Sequence, residues 1–108
     1  MNLPELIRIG PYDIKILPWE IGEANGEQSY GQFNPNTMTI KVATGYQPAF
    51  IVDTLLHEIL HAASYVGNIG GTEEENEETY CTVLATQLTQ VFRDNPQLLK
   101  FITQQLKK

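Results

Sequence analysis

Cysteine, histidine and basic residues are scarce in this 108-residue chain, and each shortage excludes a class of protein. The one cysteine, Cys81, cannot form an internal disulfide, which indicates a reducing compartment such as the cytoplasm. Seven Lys and Arg residues against 13 Asp and Glu residues leave a net charge of -6, so no nucleic-acid surface is expected. No signal peptide and no membrane-spanning run is visible, so no membrane partner is expected either.

Both histidines of the chain lie in one five-residue segment, residues 57–61, with the pattern H-E-x-x-H. Residues four apart share one face of a helix, so the imidazoles of His57 and His61 can bind one metal ion. Glu58 lies beside that face and can accept a proton from a metal-bound water. The alternative is a pair of solvated histidines with an idle glutamate between them. The helical context, the apolar neighbours and an acidic segment downstream favour a zinc site instead.

The order of the predicted elements indicates an α+β fold in a single domain, residues 1–108. Strand patterns occur at residues 6–9, 12–17, 29–33 and 38–43, and a polar loop is expected at residues 19–28. Helices are predicted for residues 48–66, about 72–92 and about 96–106, each with a terminal signal such as Pro48 or Gly67. A small antiparallel or mixed sheet should therefore pack on the H-E-x-x-H helix, followed by two more helices.

A catalytic zinc site takes three protein ligands and a water, and the chain has no third histidine. The third ligand must therefore be a carboxylate or Cys81. The start of the second predicted helix supplies most of the candidates, which are Glu73, Glu74, Glu75, Glu77 and Glu78. Asp94 is a more remote candidate, because its place beside Pro96 already suits a residue at a helix end.

Packing gives a reason to choose between the adjacent residues Glu77 and Glu78. A helix that shares a metal with its neighbour must lie close to it, so the residues above the ligand on its own face should be small. The residues three, four and seven positions after Glu78 are small, namely Cys81, Thr82 and Ala85. The corresponding residues after Glu77 are bulkier, namely Tyr80, Cys81 and Leu84. Glu78 is therefore the predicted third ligand, with Glu77 as the alternative.

The motif and its surroundings resemble the gluzincins, which are zinc peptidases with H-E-x-x-H and a downstream glutamate. The resemblance lies in residues 54–62 and then in Glu78 with Cys81, Thr82, Leu84 and Ala85. More narrowly, the chain looks like the small ImmA/IrrE-type and phage-encoded minimal gluzincins over most of residues 12–92. The resemblance implies a zincin-like fold and one Zn²⁺ cofactor. It also implies that His57, His61 and Glu78 bind the zinc and that Glu58 is the general base.

Two features depart from those families. The C-terminal part is shorter than is usual in ImmA/IrrE-type proteins, and no residue is singled out to stabilise an oxyanion. A third histidine does not exist, so the candidates for that role are Tyr30, Tyr46, Tyr65 and Tyr80. Each of these tyrosines also has an ordinary explanation as a core or surface aromatic residue.

The predicted function is zinc-dependent hydrolysis of a peptide bond in a protein or peptide substrate, with a metal-bound water activated by Glu58. The substrate is expected to lie along an exposed strand, and residues 38–43 are the candidate because they precede the metal helix. An ordinary buried strand is the equal alternative. The competing function is a non-catalytic, zinc-binding interaction domain with a regulatory role. Glu58 favours the enzyme, because a structural site needs no base. A phage protein that inactivates a host factor would fit either chemistry.

Overall fold

The computed structural model describes residues 3–19, 30–67 and 77–107, and the side chains of residues 77–79 and 81 lie outside that description. Within these ranges the chain forms four strands and three helices, in line with the predicted α+β class. Their bounds are β1 Leu6–Ile9, β2 Tyr12–Trp19, β3 Gly31–Asn34, β4 Thr39–Ala43, α1 Pro48–Val66, α2 Glu77–Asp94 and α3 Pro96–Leu106. None of the helices in these ranges combines the length and apolarity that crossing a membrane requires.

The four strands form one mixed sheet with the order β1-β2-β4-β3. The outer strands β1 and β3 pair antiparallel with their neighbours, whereas the central strands β2 and β4 are parallel. Pro18 is tolerated in the central strand β2 because β1 pairs only with residues 12–15, so no partner strand needs the missing N–H. In this strand order β3 lies at an edge of the sheet, and β4 has a partner on both sides.

All three helices contribute to one core on a single face of the sheet. Alternation along β1, β2 and β4 turns their isoleucines and valines inward, and α1 meets them with the side that carries Leu55, Ile59 and Ala62, as the sequence predicts. The helices α2 and α3 add Val91, Leu98 and Phe101. The α1 face that is turned away from this core is left to carry polar side chains.

The junction between α2 and α3 is fixed by a buried side chain, Asn95, which is only 2% exposed. Its Oδ1 accepts a hydrogen bond from the Arg8 backbone N–H at 2.8 Å, and its Nδ2 donates to the Arg8 carbonyl at 2.9 Å. Nδ2 also donates to the Val91 carbonyl at 2.7 Å. This side chain therefore ends α2 and at the same time ties the two C-terminal helices to β1.

Several predicted bounds need correction. Trp19 is not in a loop but is the last residue of β2, because the pairing of β2 with β4 continues beyond the residues that pair with β1. Trp19 is buried beside Ala43. The second helix extends to Asp94, two residues further than predicted. The predicted loop after Trp19, at residues 20–28, lies outside the described residues. So does the start of the second helix at residues 72–76, with Glu73, Glu74 and Glu75.

Candidate metal centre

The H-E-x-x-H segment lies in the second half of α1, a 19-residue helix that begins at Pro48 and is followed by Gly67. Pro48 suits the first helical turn because its missing N–H has no intrahelical partner there. The helical period turns Ile59 toward the core and leaves both histidines exposed on the opposite side. One helix therefore positions the two imidazoles and the glutamate relative to each other.

The two imidazoles converge on one point in space. The Nε2 atoms of His57 and His61 are 3.1 Å apart, and the ring centroids are separated by 4.7 Å. Zinc–imidazole bonds of ~2.05 Å at a tetrahedral angle would place two ligand nitrogens about 3.3 Å apart. The observed separation fits two ligands of one zinc ion, and neutral imidazole is the usual form of such a ligand.

Glu58 is buried, with 7% of its surface exposed, although it lies between two exposed histidines. Burial raises the pKa of its carboxyl above the ordinary value, because desolvation disfavours the charged form. The charges of His61 and His57 and a hydrogen bond donated by the Phe33 backbone N–H lower this pKa and offset part of that effect. The result is a carboxylate that is held in place and is a better proton acceptor than a solvated one.

The edge strand β3 brings the Phe33 backbone to Glu58. The carbonyl of Tyr30 accepts a hydrogen bond from the Ala43 N–H at 2.7 Å, so the even-numbered residues of this segment face β4. Gly31 and Phe33 alternate with them and direct their backbone polar groups away from β4. The outer edge of β3 is therefore the side from which Phe33 reaches the Glu58 carboxylate.

Gly31 makes that approach possible. A Cβ atom at this position would lie 2.8 Å from Thr54 Cγ2 and 3.0 Å from both Cγ and Oε2 of Glu58. Only glycine leaves room for the strand to pass so close to α1. The sequence prediction missed Gly31 and Phe33, although a glycine inside a strand pattern is a known sign of close backbone approach.

A cavity of about 320 Å³ opens beside the histidines and is lined by Phe33, Pro35, Glu58, His61 and Tyr65. Of the four tyrosines considered for an oxyanion role, Tyr65 is the one that lines this cavity. Tyr30 and Tyr46 instead pack edge-to-face at 5.4 Å, in a cluster that also includes Phe50. Tyr80 lies in α2 and is partly exposed.

The substrate strand proposed for residues 38–43 is wrong. β4 is hydrogen-bonded to β2 on one side and to β3 on the other, so it has no free edge to which a peptide can add. The parallel pairing of β2 with β4 places β4 inside the sheet. β3 is the edge strand that lies beside Glu58. Chain order, on which the prediction rested, does not determine strand order.

The structure places Glu77 and Glu78 in the first turn of α2. The packing argument for Glu78 required Thr82 and Ala85 to face α1, and that expectation is wrong because both are exposed. α2 instead approaches the end of α1 through Val83, whose Cγ1 would lie 3.0 Å from a Cβ on Gly67. The assignment of Glu78 rather than Glu77 stays a prediction that zinc titration can decide.

The remaining carboxylate candidate, Asp94, lies 16 residues after Glu78 at the other end of α2, about 24 Å away along the helix. It lines a separate cavity with Arg8 and Asp13. Among the side chains that the structure describes, no three His, Cys, Asp or Glu residues are grouped to hold a metal ion. Those side chains include His57 and His61 but not Glu77, Glu78 or Cys81.

Comparison of the chain with models of known protein families, with curated proteins and with solved structures finds no match. The H-E-x-x-H motif and the geometry around it are therefore the basis for assigning a function.

Proposed function

We propose that the protein is a zinc-dependent peptidase of the zincin type that hydrolyses a peptide bond in a protein or peptide substrate. The observation that carries the proposal is the combination of two converging imidazoles and a buried carboxylate on one helix. The Nε2 atoms of His57 and His61 are 3.1 Å apart, and Glu58 between them is held by a backbone N–H of the edge strand. A merely structural zinc site would need the two histidines but not the held carboxylate.

Zinc, when bound, supplies a water of lowered pKa and a Lewis acid for the substrate carbonyl. His57 and His61 provide two of its protein ligands, and we assign the third to Glu78 at the start of α2, with Glu77 as the alternative. The two glutamates are adjacent in sequence and point about 100° apart on a helix, so only one of them suits the site.

Glu58 carries the proton transfers of the proposed reaction. Its carboxylate takes a proton from the attacking water and passes it to the leaving nitrogen of the cleaved bond. The backbone N–H of Phe33 faces this carboxylate and favours its charged form.

The surroundings of the site fit a peptide rather than a polyanion. The formal net charge is -6, and the cavity beside His61 is lined by aromatic and proline side chains without a Lys or an Arg among the described lining residues. We propose the cytoplasm as the compartment, because a single cysteine cannot contribute an internal disulfide.

The direct test is metal analysis and peptide hydrolysis on protein purified without a histidine tag. The wild type should contain one zinc per chain and should cleave a fluorescently labelled, unfolded casein. Glu58→Gln keeps the shape of the side chain and removes the base, so it should retain zinc and lose hydrolysis. His61→Ala should lose stoichiometric zinc.

The outcomes separate the two candidate chemistries. Full zinc content in His61→Ala would place the metal elsewhere and overturn the assignment of the site. Equal turnover by the wild type and Glu58→Gln would overturn the role of Glu58. Zinc binding with no hydrolysis of casein or of a diverse peptide mixture would support the non-catalytic interaction domain instead.

A further inference from the structure

The cavity beside His61 combines polar with aromatic and apolar lining residues. Glu58 and His61 supply the polar groups, and Phe33, Pro35 and Tyr65 supply the aromatic and apolar surface, which we call its walls. The rings of Phe33 and Tyr65 meet edge-to-face with centroids 5.8 Å apart. The walls therefore belong to two different elements, the end of the edge strand and the last turns of the metal helix.

The size and exposure of the cavity limit what can occupy it. Its volume of about 320 Å³ is at the bottom of the ~300–1,000 Å³ range of small-molecule sites, which leaves room for one large side chain. Tyr65 is 55% exposed, so an occupant would remove aromatic surface from water. The described lining contains no Lys or Arg and its one acid is Glu58, so an anionic occupant would be desolvated beside a carboxyl group.

We propose that this cavity is the specificity pocket of the protein, and that it binds a large apolar or aromatic side chain next to the cleaved bond. The inference rests on the proposed function, since Glu58 and His61 line the same cavity. Phe33 has two separate roles in this arrangement. Its backbone N–H positions Glu58, and its ring forms one wall of the pocket.

A binding experiment with the zinc-loaded protein tests the pocket without relying on turnover. Isothermal titration calorimetry compares acetohydroxamic acid with 3-phenylpropanohydroxamic acid, which share a zinc-binding group and differ in the phenylethyl chain. The phenyl compound should bind the wild type about tenfold more tightly, because its ring leaves water. Succinohydroxamic acid, which replaces the ring with a carboxylate, should bind no more tightly than acetohydroxamic acid.

Two variants locate the effect. Tyr65→Ala should reduce the preference for the phenyl compound over acetohydroxamic acid to less than about threefold, since the variant shortens one wall of the pocket. Tyr12→Ala is the matched control, because Tyr12 is a similarly exposed tyrosine on β2, and the preference should persist in that variant. Phe33→Leu, which keeps the backbone N–H, should give an intermediate preference.

Failure of the pocket and failure of the peptidase proposal give different results. If the wild type binds no zinc, the proposed function is overturned and the pocket with it. If zinc binds and both hydroxamates bind the wild type with equal affinity, the pocket alone is overturned. A phenyl preference that survives in Tyr65→Ala would likewise show that the ring lies elsewhere.

Discussion

Gly31→Ala tests the close contact between the edge strand β3 and the helix α1. The added Cβ would lie 2.8 Å from Thr54 Cγ2 and 3.0 Å from Cγ and Oε2 of Glu58. Carbon atoms pack best at ~3.5–4.0 Å, so β3 or α1 must move by roughly 0.5–1 Å. Gly31 is not among the described residues with a positive φ, so the effect comes from space rather than from backbone strain.

The expected loss of stability is moderate. Overpacking of this kind costs ~1–3 kcal/mol, and the lower entropy of the unfolded alanine variant offsets about 0.4–1 kcal/mol. Two of the three close contacts involve Glu58, so Glu58→Ala should remove a large part of the penalty. Glu58→Gln keeps the same shape and should leave the penalty in full. The coupling energy between Gly31→Ala and Glu58→Ala should therefore be on the order of 1 kcal/mol.

Urea unfolding of the metal-free protein measures these terms, with Gly31→Ala placed in the wild-type, Glu58→Gln and Glu58→Ala backgrounds. Gly10→Ala is the control, because its Cβ would lie 2.8 Å from Val66 Cγ1, away from Glu58. Its cost should be equal in all three backgrounds. Equal costs for Gly31→Ala in the three backgrounds would refute the contact with Glu58.

Three further predictions concern the metal ligand, the buried carboxyl and the helix junction. Glu78→Ala should weaken zinc binding by orders of magnitude and Glu77→Ala far less, measured by titration against a competing chelator; the reverse order would shift the register by one residue. Because the pKa of Glu58 is raised in the folded state, the metal-free protein should lose stability as the pH rises from the unfolded pKa of ~4.3 through the folded pKa. Metal-free Glu58→Gln should therefore have a higher melting temperature than the wild type at pH 7, and the two melting temperatures should not differ in this way at pH 4. Asn95→Ala should cost roughly 2–4 kcal/mol in urea unfolding, because it removes the hydrogen bonds of Asn95 to the partly buried backbone of Arg8 and to the buried carbonyl of Val91; a cost under ~1 kcal/mol would contradict that role.

Local signals in the sequence were sufficient to predict the helices whose ends are marked by proline or glycine. Pro48 begins α1 and Gly67 follows its last residue, in agreement with a helix predicted to run from Pro48 to about Val66. The interruption at residues 94–96 was likewise visible, because a proline follows two residues that favour turns. α3 therefore begins at Pro96 as expected.

The arrangement of the strands required information that no local pattern carries. β3, whose sequence is Gly-Gln-Phe-Asn, was predicted as a strand at residues 29–33, but this short pattern does not show which strand it pairs with. Its place at the edge follows from the parallel pairing of β2 with β4, which joins segments that are distant in the sequence. For the same reason the contact of Phe33 with Glu58 could not be predicted, although the H-E-x-x-H motif can be recognised directly in the sequence.

The packing argument about the third ligand failed for a related reason. It assumed that small side chains on α2 mark the face turned toward α1, yet Thr82 and Ala85 are exposed while Leu84 packs against the core. Small residues permit close approach without causing it, and burial of larger apolar side chains determines how a helix rotates.

The link between Asn95 and Arg8 has a consequence for synthesis of the chain. These residues are 87 positions apart, so at ~5–20 residues per second the ribosome takes about 4–17 s to supply the partner of β1. Throughout that interval Ile7 and Ile9 lack the cover that the C-terminal helices provide in the finished fold. A nascent chain of this protein should accordingly be a client for chaperones that bind apolar segments, until α2 and α3 leave the ribosome.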